Sequence, residues 1–183
     1  MAAVAGLQHA PRSGILYFQD RGVLMKFRSI MVATIVVALS ACVQSVTVKT
    51  PFNPSEHEFA AKPGKATVSA QAFMRRNDGM VVYAAGSQAL LLPASSYVRE
   101  LYDTSQKVYG APPVTNLDVR LKNYTKVAQA NGEGRFSFQG VPDGEYLLVT
   151  NVNWRAGDST QGGDLTKFVT VSNGQNLDVI LTR

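Results

Sequence analysis

Hydrophobic residues are distributed in two different ways along the chain. Between Ile30 and Leu39 they form one run, broken only by Thr34, whereas after Ala66 they come in short runs separated by turn residues. Short apolar or alternating runs bounded by turn residues are typical of β-strands. The chain is therefore predicted to have an apolar amino-terminal segment followed by a β-rich domain over residues 66–183.

The β-rich domain is predicted to be an all-β sandwich of seven strands, within a range of six to eight. Asn77-Asp78-Gly79 lies between two apolar runs, which is a strong hairpin signal. Phe136 and Phe138 alternate with polar residues, as in a half-buried strand. The predicted strands are Ala66–Met74, Met80–Ala84, Gln88–Leu92, Leu117–Lys122 (which Tyr124–Ala130 could continue), Arg135–Gln139, Tyr146–Val152, Lys167–Val171 and Leu177–Leu181.

One short helix is predicted within this domain, over Ala94–Asp103. Tyr97 with Leu101, and Val98 with Tyr102, are spaced four residues apart, so each pair lies on one side of a helix. One of the two serines before Tyr97 could cap its amino terminus. The sequence indicates no long amphipathic helix besides this short one, so the predicted fold class remains all-β.

The apolar run near the amino terminus has the three parts of a secretory signal peptide. Lys26 and Arg28 give a positively charged start, the apolar core follows, and small residues end it. Residues 25–41 are therefore predicted to be a signal peptide. Residues 1–24 do not fit, because a signal peptide is usually about 15–30 residues long. They are predicted to be an upstream extension, with Met25 as the true start.

The single cysteine sharpens this prediction. Leu39-Ser40-Ala41-Cys42 follows the apolar core and resembles the lipobox of bacterial lipoproteins. The resemblance implies cleavage between Ala41 and Cys42, and acylation of Cys42, which would make membrane lipid a partner of the protein. Val43 stands where aspartate commonly retains lipoproteins at the inner membrane, so the resemblance implies the outer membrane, facing the periplasm.

Two other interpretations of this segment remain open. Ser29–Val48 has no charged residue and is long enough for an uncleaved single-pass anchor. However, Gln44, Ser45 and Thr47 dilute its second half, which favours the signal peptide. Cys42 could also be an ordinary buried cysteine.

Residues 42–65 are predicted to be a tether that holds the domain away from the membrane. Pro51, Pro54 and Pro63 lie in it, and proline-rich segments are extended, semi-rigid spacers. Glu56-His57-Glu58 also lies here, without the helical spacing that places metal ligands on one side. These three residues are predicted to be a solvated charge cluster.

The segment Asn131–Thr150 resembles carboxypeptidase regulatory-like domains, which share the prealbumin (transthyretin-like) Greek-key sandwich. The shared pattern is a glycine-containing turn, an F-x-F strand, a V-P-x-G turn and a Y-x-L strand. Turn and core residues carry it, so the resemblance implies a fold and a non-enzymatic accessory role. These residues are Gly134, Phe136, Phe138, Val141, Pro142, Gly144, Tyr146, Leu148 and Thr150, the last replacing the usual valine.

Few residues are suited to catalysis or metal binding. The chain has one cysteine and two histidines, His9 and His57, and it has no G-x-S-x-G motif. No catalytic residue, metal site or cofactor is therefore predicted, and a periplasmic hydrolase with an unrecognised serine- or carboxylate-based site is the alternative. Asp158–Asp164 carries oxygen ligands for calcium without the calcium-loop spacing, so a flexible loop is predicted there.

The positive net charge of the chain comes mainly from the predicted export signal and the residues before it, and so does not indicate a nucleic-acid-binding surface. The full chain has a net charge of +5 and a pI of about 9.4. Cleavage before Cys42 removes four basic residues and one acidic residue, so the net charge falls to +2. No nucleic-acid partner is therefore predicted.

Candidate binding residues are the arginines and aromatic residues near predicted turns and on the predicted helix, because Tyr, Trp and Arg dominate interface hot spots. Each has a structural alternative: solvated turn charges, core-facing helix aromatics or a tryptophan packed at the rim. The expected partner is an envelope protein or a glycan. The candidates are Arg75, Arg76, Tyr97, Arg99, Tyr102, Trp154 and Arg155.

Replacing Cys42 with serine should abolish acylation, because the hydroxyl does not replace the thiol that the lipobox enzymes modify. Metabolic labelling with a radioactive or clickable fatty acid measures this directly. We expect labelled wild-type protein and an unlabelled, unprocessed or mislocalised C42S variant. Normal labelling of that variant would contradict the predicted acylation of Cys42.

Overall fold

The short apolar runs after Ala66 form eight strands and one α-helix in a computed structural model that describes residues 47–107 and 116–183. The predicted upstream extension, signal peptide and Cys42 lie outside these residues. The elements are β1 Ala66–Arg75, β2 Val81–Tyr83, β3 Gln88–Pro93, α1 Ser96–Lys107, β4 Lys126–Gln129, β5 Arg135–Val141, β6 Gly144–Ala156, β7 Ser159–Val171 and β8 Leu177–Leu181.

The strands form two four-stranded sheets, which confirms the all-β sandwich. In the first sheet, β1 pairs antiparallel with β2 and β5 and parallel with β8. In the second sheet, the order is β4-β3-β6-β7 and every pair is antiparallel. The hairpin predicted at Asn77-Asp78-Gly79 joins β1 to β2.

A main core lies between the sheets. Side chains of β1 alternate between buried and half-buried, because successive residues of a strand point to opposite faces. Phe136 and Phe138 of β5 are buried, as their alternation predicted. Tyr146 of β6 is 1% exposed, and its hydroxyl donates a hydrogen bond to the Pro142 carbonyl at 2.9 Å. Burial raises the pKa of Tyr146 to about 12, so this phenol stays neutral in the core.

A second core lies on the outer face of the β4-β3-β6-β7 sheet, under helix α1. Leu92 and Leu147 project from this face, and Tyr97 and Val98 of α1 cover them. The helix was predicted at residues 94–103 and is observed at Ser96–Lys107. Among the described residues, no helix has the length and apolar character needed to span a bilayer.

Residues 48–61, called the strap below, correct the predicted tether. Val48 is 4% exposed and belongs to the second core, and Ala60 is buried in the main core. Two 3₁₀ helices, Pro54–Glu56 and Glu58–Ala61, make this segment compact. Pro54 begins the first of them, where a missing backbone N–H has no cost. Pro54 thus starts a helical turn here, and the buried apolar residues Val48 and Ala60 hold the strap on the domain.

His57 holds the strap against helix α1 and is fully buried, so the predicted solvated cluster is wrong. Its Nδ1 lies 2.8 Å from the Asn53 carbonyl, which can only accept, so Nδ1 donates the proton. Nε2, 2.9 Å from Ser95 Oγ, therefore accepts from that hydroxyl in the neutral ring. Ser95 Oγ in turn accepts from the Val98 N–H at 3.2 Å and caps the helix. The imidazole also stacks on Phe52 at 4.2 Å between ring centroids.

Two carboxylates fasten the part of the strap that precedes this histidine to the helix. Glu56 accepts a 2.7 Å hydrogen bond from the Ser96 N–H, which lowers the pKa of Glu56. Glu100 of α1 accepts from the backbone N–H groups of Lys49 at 2.9 Å and Thr50 at 2.6 Å. Hydrogen bonds from Thr50 and Lys49 lower the pKa of Glu100. Ionised carboxylates therefore connect the strap to α1 at its start and again at Glu56.

The predicted strand at Leu117–Lys122 is wrong. Val119–Tyr124 forms a 3₁₀ helix, and the Asp118 side chain caps it by accepting from the Arg120 N–H at 2.9 Å. The Arg120 guanidinium also holds the pKa of Asp118 down at about 2. Leu121 alone of the alternating apolar residues is buried, since Leu117 and Val119 are exposed. The helix cap at Asp118 therefore decides the local structure in spite of the alternation of apolar and polar residues. Of the predicted continuation, Tyr124–Ala130, only Lys126–Gln129 is a strand.

The predicted flexible loop at Asp158–Asp164 is also wrong. Gly157-Asp158 is the whole connection between β6 and β7, and β7 begins at Ser159. Gly157 has a φ of 61°, as a type II′ hairpin turn requires of its first central residue. The sequence from Ser159 is too polar to indicate a strand by hydrophobicity, but its backbone pairs with β6 along its full length.

Replacing Ser95 with alanine should destabilise the protein by about 1–3 kcal/mol, because it removes a helix cap and leaves buried His57 without one partner. Chemical denaturation measures this as the change in the free energy of unfolding. Ser137→Ala, at an exposed position of β5, is the matched control and should change it by less than about 0.5 kcal/mol. Equal effects of the two substitutions would contradict the role of Ser95.

Acid should weaken the contact between the strap and the helix. The folded state lowers the pKa of Glu56 and of Glu100, so each stabilises the fold at pH values above the ordinary pKa of glutamate. This stabilisation is lost as pH falls below that ordinary value and through the lowered one. Thermal unfolding between pH 7 and pH 3 should therefore depend less on pH in the E56Q/E100Q double variant. Glu58→Gln, an exposed neighbour, should leave the profile unchanged, and the same flattening in that control would refute the assignment.

Candidate functional site

The structure does not bring the seven candidate residues into one site, and of the seven only Arg99 and Tyr102 meet around a shared neighbour. Arg75 is exposed at the end of β1, and Arg76 forms an ion pair with Asp78 inside its own turn at 2.7 Å. Tyr97 is 3% exposed, and its hydroxyl donates to the Asn116 carbonyl and accepts from the Asp118 N–H at 2.8 Å. Tyr97 is thus a structural residue, and the two arginines lie without an aromatic partner at a turn.

Arg99, which is exposed, and Tyr102, which is half-buried, meet Phe168 of β7 where helix α1 borders the sheet. The Arg99 guanidinium lies 4.9 Å from the centre of the Phe168 ring and bonds to the Glu145 carboxylate. Tyr102 meets the same ring edge-on at 5.1 Å. These contacts attach the helix to the sheet at the β7 side. Phe168 was not among the sequence candidates.

Trp154 and Arg155 are neighbours in β6 and therefore point to opposite faces. Trp154 is half-buried and packs against the main core, which is the structural alternative anticipated for it. Arg155 is exposed on the outer face, directly opposite Thr160 of β7. Only Arg155 of this pair faces the open part of the outer surface.

That open part contains a transverse row of polar side chains, called the polar row below. It consists of Gln129, Gln88, Asn151 and Asp164, one from each strand of the β4-β3-β6-β7 sheet. Gln88 is paired with Gln129, and Asn151 with Asp164. The pairing of β3 with β6 places Gln88 opposite Asn151, and Thr150 Oγ1 donates to the Gln88 carbonyl at this level. With strands spaced by about 4.8 Å, the row extends about 14 Å across the sheet.

The side chains of the polar row are available to a ligand. Within residues 47–107 and 116–183, those of Gln88, Asn151 and Asp164 form no hydrogen bond with another protein group. The Gln129 amide makes one long bond, 3.3 Å, to the Gly86 carbonyl. A cavity of about 360 Å³ opens at the β4 end of the row. It is lined by Gly86, Gln88, Val127, Ala128 and Gln129.

One glycine of β7, Gly162, keeps the surface beside the row low, whereas its neighbour Gly163 faces the core side of the sheet. Gly162 is paired with Asn153, and Gly163 with Val152. A Cβ at Gly162 would lie 1.9 Å from the Val152 carbonyl oxygen, and its φ of 113° is unfavourable for other residues. Glycine inside a strand commonly marks such a close approach. Asn153, exposed next to the row, therefore has no side chain opposite it.

The chemistry of this face favours hydrogen bonding to a neutral solute. Amide groups both donate and accept, and a carboxylate accepts at two oxygens, so a row of them can bond to a series of hydroxyl groups. Val127 is 59% exposed beside Gln129 and supplies an apolar contact. Among the described residues, no group of three His, Cys, Asp or Glu side chains is arranged to hold a metal ion.

A second opening, of about 500 Å³, lies between the strap and helix α1. Lys49, Arg99, Glu100, Asp103 and Lys107 line it, together with Thr47, Ser96 and Thr104. The Glu100 carboxylate and the Arg99 guanidinium already have protein partners. This opening, called the helix groove below, is therefore a surface of mixed charge whose central groups serve the fold.

Ser95 and His57 have the spacing that a nucleophile and its base require, although no motif in the sequence pairs them. His57 is 0% exposed and Ser95 is 5% exposed. The hydroxyl is also occupied by the helix cap, so a substrate carbonyl has no access to it. The pair is assigned to the fold.

Sequence reasoning missed all four members of the polar row. Gln and Asn do not stand out as hot-spot residues, and the residues lie far apart in the chain. Polar residues alternate with apolar ones at Asn151 and Asn153, which is the one local signal available. The four residues form a row only because their strands are neighbours in the sheet, and this depends on the strand order.

No protein-family model matches the chain, and no curated protein matches it. Among solved structures, the chain is similar to a Pseudomonas aeruginosa protein named as a candidate carbohydrate-binding protein. The two share 27% identity with a TM-score of 0.65, over 73% of this chain and 99% of that one.

Two pilins give weaker matches. The major pilin subunit BcpA of Bacillus cereus matches with 9% identity and a TM-score of 0.38, over 64% of this chain and 29% of the pilin. The major pilin SpaD of Corynebacterium diphtheriae matches with 12% identity and a TM-score of 0.33, over 66% of this chain and 32% of the pilin. These scores carry no argument, whereas the Pseudomonas protein supports a bacterial β-sandwich domain.

Proposed function

We propose that the protein is a lipid-anchored, non-enzymatic component of the cell envelope that binds a neutral glycan at the polar row. The observation that carries this proposal is the row itself. Its amide and carboxylate side chains are aligned across four strands. Gln88, Gln129 and Asp164 are exposed and Asn151 is half-buried, and among the described residues the one hydrogen bond that a side chain of the row makes is the long one from Gln129 to the Gly86 carbonyl.

A glycan fits this row better than a charged ligand does. Gln129, Gln88 and Asn151 are uncharged, and a single carboxylate, Asp164, stands at the β7 end. Phosphate and carboxylate ligands are usually held by arginine guanidinium groups, which bind them with two hydrogen bonds, or by lysine ammonium groups. The row contains neither residue. Sugar hydroxyls both donate and accept, as the amides do. The similarity to a candidate carbohydrate-binding protein supports the same ligand class.

The anchor is proposed from the sequence. Acylation of Cys42 after cleavage at Ala41 would attach the domain to membrane lipid, in the outer membrane facing the periplasm. Each buried methylene contributes about 0.8 kcal/mol, so several acyl chains together hold a protein firmly where one does not. The resemblance of Asn131–Thr150 to carboxypeptidase regulatory-like domains supports an accessory role.

Glycan binding is tested with purified protein against neutral and charged oligosaccharides, by glycan array and then by calorimetry. We expect a neutral glycan to bind, and Asn151→Ala or Gln88→Ala to weaken binding by about tenfold. This corresponds to the loss of one or two hydrogen bonds, at about 1.4 kcal/mol for each factor of ten.

Gln139→Ala is the matched control, because Gln139 is an exposed glutamine of β5 in the other sheet. It should leave the affinity unchanged. Failure to bind any neutral glycan, or equal losses in Q139A and N151A, would refute the proposed site.

A further inference from the structure

The chain is fixed to the domain from Val48 onward. The Asn116 side chain bonds to both backbone groups of Val48, accepting from its N–H at 2.9 Å and donating to its carbonyl at 2.7 Å. Glu100 binds the next two N–H groups, and the Val48 side chain lies in the second core. Any anchor upstream therefore pulls on the domain at this point, on the side of helix α1.

The link between this point and the proposed lipid is short. Residues 43–47 separate Cys42 from Val48. Fully extended, the six Cα steps between them span about 20 Å. A domain of this size has a radius of gyration of about 14 Å and therefore a thickness of about 35 Å. The link is too short to run around the domain to its opposite face.

We infer that helix α1 and the strap form the membrane-facing surface of the anchored protein, against the lipid headgroup layer. The inference rests on the proposed acylation of Cys42. The outer face of the β1-containing sheet, where Ser137 lies, then points away from the lipid. In the sandwich, helix α1 and the second core lie on the outer side of the β4-β3-β6-β7 sheet, and the β1-containing sheet lies on the opposite side.

The charges of the helix groove are compatible with headgroup contact but do not set the orientation. Lys49 and Lys107 are exposed there with Asp103, so charges of both signs face the lipid. Zwitterionic headgroups present a phosphate and an ammonium group, which suit such a mixture. Because the charges nearly balance, the short link is the element that holds this face toward the bilayer.

Single fluorescent labels test the orientation in the acylated full protein. Acylation occupies the only cysteine, so an introduced cysteine is the only free thiol. Asp103→Cys places the label on α1, and Ser137→Cys places it on the far sheet. In vesicles of zwitterionic lipid with a headgroup-attached nitroxide quencher, we expect at least threefold stronger quenching at position 103. Equal quenching, or stronger quenching at position 137, would overturn the inference.

Two further measurements separate the possible causes. Intact mass and vesicle co-sedimentation report acylation, so an unacylated protein would refute the anchor, and this inference with it. Acylated protein that lacks the difference in quenching would refute the orientation alone. A flexible Gly/Ser insert of about 20 residues between Val43 and Thr47 should abolish the difference, because the lengthened link can extend to about 85 Å, well beyond the thickness of the domain. Persistence of the difference would show that the short link does not set the orientation.

Discussion

The apolar part of the outer face of the β4-β3-β6-β7 sheet has to be covered, and the rest of the structure depends on how this is done. Leu92 and Leu147 each gain about 1.5–3 kcal/mol from full burial. Helix α1 alone covers them only if its start is held in place. The hydrogen bond between His57 and Ser95 does this, because it joins the helix cap to the strap in a buried site.

This arrangement divides one sheet face into two halves of different polarity. Near the helix the face is apolar and closed, whereas four residues further along β6 it becomes polar and open at Asn151. The strap fixes the attachment point of the proposed anchor on the same side. A glycan in the polar row would then lie in the layer just above the lipid, with helix α1, about 10 Å thick, as the spacer.

The candidate site was only partly predictable. Arg155 was named from the sequence and lies on the same outer face, but four residues beyond Asn151 along β6 and therefore about 13 Å from the row. Tyr97 and Trp154 serve the cores. Residue type favours aromatic and arginine side chains as binding residues, but burial decides whether they are accessible. Gln88 and Gln129 carry no signal of their own, because their significance comes from lying next to each other in paired strands.

The sequence by itself determined the local elements: the hairpin at Asp78-Gly79, the alternating strand at Phe136 and Phe138, and the short helix. The export signal of residues 25–41 stays a prediction. Turn residues and hydrophobic period act within a few residues, so they can be read locally. Tertiary structure alone decided that the proline-rich segment folds back as the strap, that His57 is buried, and that the polar row exists. Each of these depends on pairing or packing between residues distant in the chain, which no local pattern records.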